Sequence, residues 1–121
     1  MDKAQALNTF WNSFNLPAYD SQTVPPDATL PYITYETKTD SLDNSLMLTN
    51  SIWYRSTSWR DIEQKSEDVA ERLGLGGEVV KIDDGYLWLT KGSPFAQRKS
   101  DPDDSIRRIV INVQAEFLTA Y

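Results

Sequence analysis

The chain contains no cysteine and no histidine in 121 residues. Without thiols it has no disulfide, no thiolate nucleophile and no zinc site built on sulfur. Without imidazole it lacks the commonest general base near neutral pH, the commonest metal ligand, and every Ser-His or Cys-His nucleophile pair. Long apolar runs are missing too. The longest are a few residues, such as Ile109-Val110-Ile111, against the roughly 20 a membrane-spanning helix needs. The opening Met1-Asp2-Lys3-Ala4 lacks the basic-then-apolar layout of a secretory signal, so the expectation is an intracellular protein. Cations are in the minority: 12 Lys and Arg stand against 18 Asp and Glu, a net charge of −6. Nucleic-acid binders gather Lys and Arg to neutralise phosphates. This balance therefore argues against sequence-specific nucleic-acid binding and leaves only local patches such as Arg107-Arg108.

What is present reads as one domain over residues 1–121, because 40% hydrophobic and 25% charged residues are ordinary globular values. Leu7, Phe10, Trp11 and Phe14 fall at helical spacing, which predicts a helix over 2–14 with Asp2 as its cap and Pro17 as its stop. Pro17, Pro25, Pro26 and Pro31 make the next stretch an extended surface connection, since proline fixes φ and has no amide hydrogen. Aromatic and β-branched residues predict a strand over 31–37. After a polar turn over Lys38–Asn44, strict alternation predicts a longer strand over 45–56. Leu46, Leu48, Ile52 and Tyr54 lie on one face of it, and Met47, Thr49, Ser51, Trp53 and Arg55 on the other.

Ile62, Val69 and Leu73 form the buried stripe of a second helix, 59–73. Ser58 and Asp61 have capping-box spacing and Gly74 is placed to end the helix in a left-handed conformation. Strands over 78–82 and 86–90 join through Asp83-Asp84-Gly85, a tight-hairpin signal. Residues 91–104, with Gly92, Pro94 and Pro102, lose periodicity and read as a mobile loop. Residues 105–118 read as an amphipathic strand. The expected fold class is α+β: a mostly antiparallel sheet of about five strands with two helices packed on one face.

The acidic and glycine-rich motifs do not add up to chemistry. Asp101-Pro102-Asp103-Asp104 offers hard oxygen ligands but lacks calcium-loop spacing and a closing glutamate, so a capped turn explains it. Glu78, Lys81, Asp83 and Asp84 are mis-spaced for a metal-nuclease strand motif. Gly74-Leu75-Gly76-Gly77 follows a helix and precedes a strand, the reverse of a phosphate-cradling loop. No catalytic residue, metal site or cofactor is expected. Binding remains, and four Trp with six Tyr supply the residue types that interfaces favour. Most of these rings are expected in the core. The second face of the long strands, rich in Thr, Ser, Arg and aromatics, suits water or a neighbouring subunit.

Pro31-Tyr32-Ile33-Thr34-Tyr35-Glu36, Ile52-Trp53-Tyr54-Arg55-Ser56 and the run Asp101-Pro102-Asp103-Asp104-Ser105-Ile106-Arg107-Arg108 resemble corresponding stretches of the tail terminator, or tail-to-head joining, proteins of long-tailed bacteriophages. Element order and length resemble that family over nearly the whole chain. The resemblance implies a virion structural protein, assembled in the bacterial host cytoplasm, whose subunits close into a ring, with a hexamer favoured. Such a ring caps the tail tube and offers a surface to the head connector, so the implied partners are other copies of the chain, the tube protein and the connector. The contacts expected here are Phe95, Gln97, Arg98 and Lys99 in the 91–104 loop, with Arg107 and Arg108. A head-completion or neck subunit is the neighbouring alternative, and a non-viral protein-binding adaptor the more distant one.

Overall fold

A computed structural model describes residues 1–40 and 44–119; the middle of the expected Lys38–Asn44 turn lies outside the described residues. Helix α1 spans Lys3–Trp11 and passes into a short 3-10 turn, Asn12–Phe14. Asp2 caps it as expected: its carboxylate accepts from the Gln5 amide while the Gln5 side chain accepts from the Asp2 amide. The α-helix stops at Trp11 because Asn12 turns its side chain to the chain ahead, accepting from the Ala18 amide at 3.0 Å. Asn15, at φ 60°, then reverses the backbone.

The expected sheet is corrected in both count and kind. Six strands, not about five, form one mixed, curled half-barrel. They are β1 (Ala18–Asp20), β2 (Tyr32–Tyr35), β3 (Ser45–Arg55), β4 (Glu78–Ile82), β5 (Gly85–Lys99) and β6 (Ile106–Thr119), in the order β1-β2-β3-β6-β5-β4. The extra strand, β1, lies inside the proline-rich connection and pairs parallel with β2. Proline is tolerated there because β1 is an edge strand, and Pro17 contributes its carbonyl, accepting from the Ile33 amide at 2.9 Å. The remaining pairings are antiparallel.

The mobile loop expected at 91–104 is also corrected. Strand β5 continues to Lys99. Its register breaks after Lys91↔Val113 and resumes at Ala96↔Ile111, so residues 92–95 stand opposite Asn112 alone. This bulge absorbs Gly92 and a cis Ser93–Pro94 bond, and the Asn112 amide ties it down by donating to the Pro94 carbonyl at 2.9 Å. Bulges admit the residues a regular ladder refuses, which is why strand alternation disappears from the sequence where the strand does not.

Helix α2 (Arg60–Leu73) crosses behind β3, β6 and β5. The expected Ser58–Asp61 capping box does not form. The Ser58 hydroxyl instead accepts from the Arg60 amide at 3.1 Å, and Trp59 stands at the cap position without a side-chain bond. Gly74 ends the helix at φ 59°. Both helices and one parity of strand residues close a single core: Leu7, Phe10, Trp11, Ile62, Val69 and Leu73 meet Ile33, Leu48, Ile52, Leu87, Leu89, Ile109, Ile111, Val113 and Phe117. Only one of the four tryptophans, Trp11, is fully buried.

Candidate functional site

Strand pleating sends alternate residues to opposite faces, and the register assigns them. Core residues of β3 pair with core residues of β6: Leu48 with Val113, and Ile52 with Ile109. The opposite parity forms a face that carries no helix, and it is organised in rows across the strands.

One row runs Tyr32–Trp53–Arg108–Lys99 over β2, β3, β6 and β5. Tyr19 joins it with its ring edge-on to Tyr32 at 5.7 Å. The Arg108 guanidinium lies 4.5 Å from the Trp53 ring centroid, a cation–π distance. It also donates to the Ser51 hydroxyl at 3.1 Å, while Trp53 donates to Thr34 at 3.0 Å. Thr49, Asn112, Gln114 and Thr90 form a polar belt beyond it. At the far end, Val79 pairs with Trp88 and Tyr86 with Leu118. Ser45, Trp88, Thr90, Gln114 and Glu116 line a depression of about 210 Å³ there.

Five large hydrophobic residues are exposed on this face: Met47, Val79, Tyr86, Trp88 and Leu118. Its charges run against those of the whole chain. Among the strand residues of this parity, Arg55, Lys81, Lys99 and Arg108 are opposed by Glu116 alone, on a chain of net charge −6.

The contact residues expected from sequence are divided between the two faces. Lys99 and Arg108 are cross-strand partners on the open face, and Gln97 is exposed beside them, opposite Val110. Arg98 points the other way, donating to Glu63 of α2 at 2.7 Å and lying 4.5 Å from the Trp59 ring centroid. Arg107 approaches the same ring at 5.2 Å and donates to the carbonyls of Thr57 and Asp104. These two arginines clamp Trp59 at the start of α2, a structural duty inside the fold. Phe95 packs against the core from the bulge, with the Lys91 ammonium 5.7 Å from its ring centroid.

The hydrophobic end of the open face was missed as a site. Its signal was the two-faced alternation of the long strands, but the β5 bulge hid the register that gathers Tyr86, Trp88 and Leu118.

The acidic motifs are accounted for locally. The Asp103 carboxylate accepts from both the hydroxyl and the amide of Ser105, which holds its pKa below the ordinary carboxylate range, and Arg55 lies 3.7 Å away. Asp83 and Asp84 occupy the two-residue turn between β4 and β5, and Glu78 pairs with Arg72 at 2.8 Å. No acidic cluster among the described residues has the geometry to hold a metal. Tyr54, at the α2 side of β3, has its phenol pKa raised by burial first and then by Asp61 and Asp68, so it stays neutral at physiological pH.

No family model matches the chain, and no curated protein matches it.

Proposed function

We propose that this protein is a structural assembly subunit that works by docking its helix-free sheet face. The setting is the one the resemblance names: a phage tail terminator whose copies close into a ring, cap the tail tube and present a surface to the head connector. The observation that carries the reading is the concentration of Val79, Tyr86, Trp88 and Leu118 at one end of an uncovered face, with Met47 exposed in the polar row beside them. Scattered exposed hydrophobics are normal on a protein surface, but a contiguous group rimmed by polar side chains marks an interaction site. Trp and Tyr are the residue types that anchor interfaces, and here the sheet presents them on strands rather than on loops. The neighbouring Trp53–Arg108 stack is held by hydrogen bonds on both sides, so it meets a partner with little ordering cost.

Mass measured by light scattering over a wide concentration range, with electron microscopy of the most concentrated sample, tests the reading. Association rising with concentration and ending in closed rings is the expected result. A monomer at every concentration contradicts self-assembly. A single discrete dimer excludes the ring and favours a small adaptor.

A further inference from the structure

The charges identify what covers the open face. Two copies meeting open face to open face would set Lys81, Lys99 and Arg108 against the same three cations, with Glu116 as the sole strand counter-charge on each side, Arg55 being held by Asp103 and Ser105 of its own chain. The back of the molecule has the opposite character. On α2, Lys65 is held by the Phe14 carbonyl at 2.8 Å and by Asp68, and Arg72 by Glu78 and Ser13. These cations are engaged within their own chain. The outer ridge of the helix carries Glu67 and Glu71, with Asp61 at its flank and one exposed cation, Arg60, at its first residue. The turn beyond it carries Leu75, the most exposed large hydrophobic residue described, at 106%.

We infer that the open sheet face of one copy receives the α2 ridge and the Leu75 turn of a second copy, in a face-to-back, head-to-tail stack. This rests on the self-assembly reading and adds the pairing of surfaces.

Lengths and directions agree. Within one subunit α2 starts beside Arg98 and Arg107, at the Arg108 end of the sheet, and finishes just before β4 begins, at the Trp88 end, where Trp88 donates to the Gly76 carbonyl at 2.9 Å. A copy stacked in the same orientation therefore sets its Asp61 near the Arg108–Lys99 row and its Leu75 near Trp88 and Leu118. Asp61 to Leu75 spans about 21 Å at helical rise, and the Arg108 row lies about 26 Å from the Glu116 row at strand rise. Arginine and lysine side chains cover the difference. Because the two surfaces are different, the contact is heterologous, which generates a ring where the rotation closes and a filament where it does not.

The absence of native cysteine makes the pairing directly readable. Leu75→Cys and Leu118→Cys chains are prepared separately, mixed and mildly oxidised, with Thr23→Cys as an exposed control in place of Leu118→Cys. A several-fold excess of the Leu75→Cys/Leu118→Cys heterodisulfide over both homodisulfides and over the control is expected. An Asp61→Lys background should weaken it, and adding Lys99→Glu on the partner chain should restore it. Dominant homodisulfides, or no excess over the control while light scattering still shows association, would falsify the face-to-back pairing and leave self-assembly standing. A monomer by light scattering with no excess disulfide removes both.

Discussion

The two faces of strand β6 share one backbone and differ in everything else. On one side Ile109, Ile111, Val113, Ala115 and Phe117 are sealed beneath the helices; on the other Asn112, Gln114, Glu116 and Leu118 face outward. The difference shows how a 121-residue chain can build a complete core while keeping a second, nearly equal area of sheet for a partner. One side of each long strand closes the fold and the other is free to vary with the partner it meets. Truncating Phe117 to Ala should cost about 3–5 kcal/mol, the usual loss for a fully buried ring, read as a drop in the denaturant midpoint. Leu118→Ala, one residue along, should cost less than about 0.5 kcal/mol for the monomer. A Leu118→Ala cost that grows with protein concentration would sharpen the contrast, because a partner that covers this face adds its binding energy to stability.

The bulge in β5 is where the two faces touch. Gly92 is buried there, and a Cβ on it would lie 2.6 Å from the Met47 sulfur and 2.9 Å from the Asn112 carbonyl oxygen. The methionine tip can swing away, but the backbone of β6 cannot. Gly92→Ala should therefore destabilise by about 1–3 kcal/mol, as overpacking does, and should displace Met47 on the open face. Normal stability with unchanged amide shifts around Asn112 would mean that the bulge is looser than its contacts imply.

Asn50 is the one strongly polar side chain of β3 on the covered side, at 2% exposure. Its amide donates to the carbonyls of Leu48 and Ile111, both at 3.1 Å, and its oxygen accepts from the Glu36 amide. It satisfies the backbone where β2 ends and leaves β3 without a partner. Asn50→Ala orphans these groups and should cost about 1–3 kcal/mol. Rapid hydrogen exchange at Glu36 in the variant would locate the damage.

Much of this was legible because local rules and tertiary structure agree. The α1 stripe, the Asp2 cap, the apolar stripe of α2 and the alternation of β3 and β6 each follow a single period. What was not legible depended on distant contacts. Strand β1 is three residues long in proline-rich surroundings and exists because Tyr19 and its neighbours find β2. Residues 92–95 break the period of β5 although the strand runs through them. The expected contact residues suffered from the same break. In a loop, Gln97, Arg98 and Lys99 would sit on one tip; in a strand they alternate, so Arg98 goes to Glu63 and Trp59 while Lys99 goes to Arg108. Trp11 and Trp59 lie in or against the core as expected; Trp53 and Trp88 do not, because ring count says nothing about which face of a sheet is roofed.

The smallest expected effect lies at the rim where the open face ends. Asp103 is exposed, and its hydrogen bonds from Ser105 and the nearby Arg55 favour the ionised carboxylate in the folded state. Its folded pKa is therefore below the unfolded one, near 3.9. The folded state holds that proton less tightly, so the contribution to stability is present above the unfolded value and disappears as pH falls through the folded one. Thermal unfolding of the native chain and of Asp103→Asn should show a small, constant gap from about pH 5 to 8, since both states are fully ionised there. The gap should close under acid. A gap that instead widens as pH falls would mean that the Ser105 turn is held by something other than this carboxylate. The orientation of Arg55 on the open face would then need a different support.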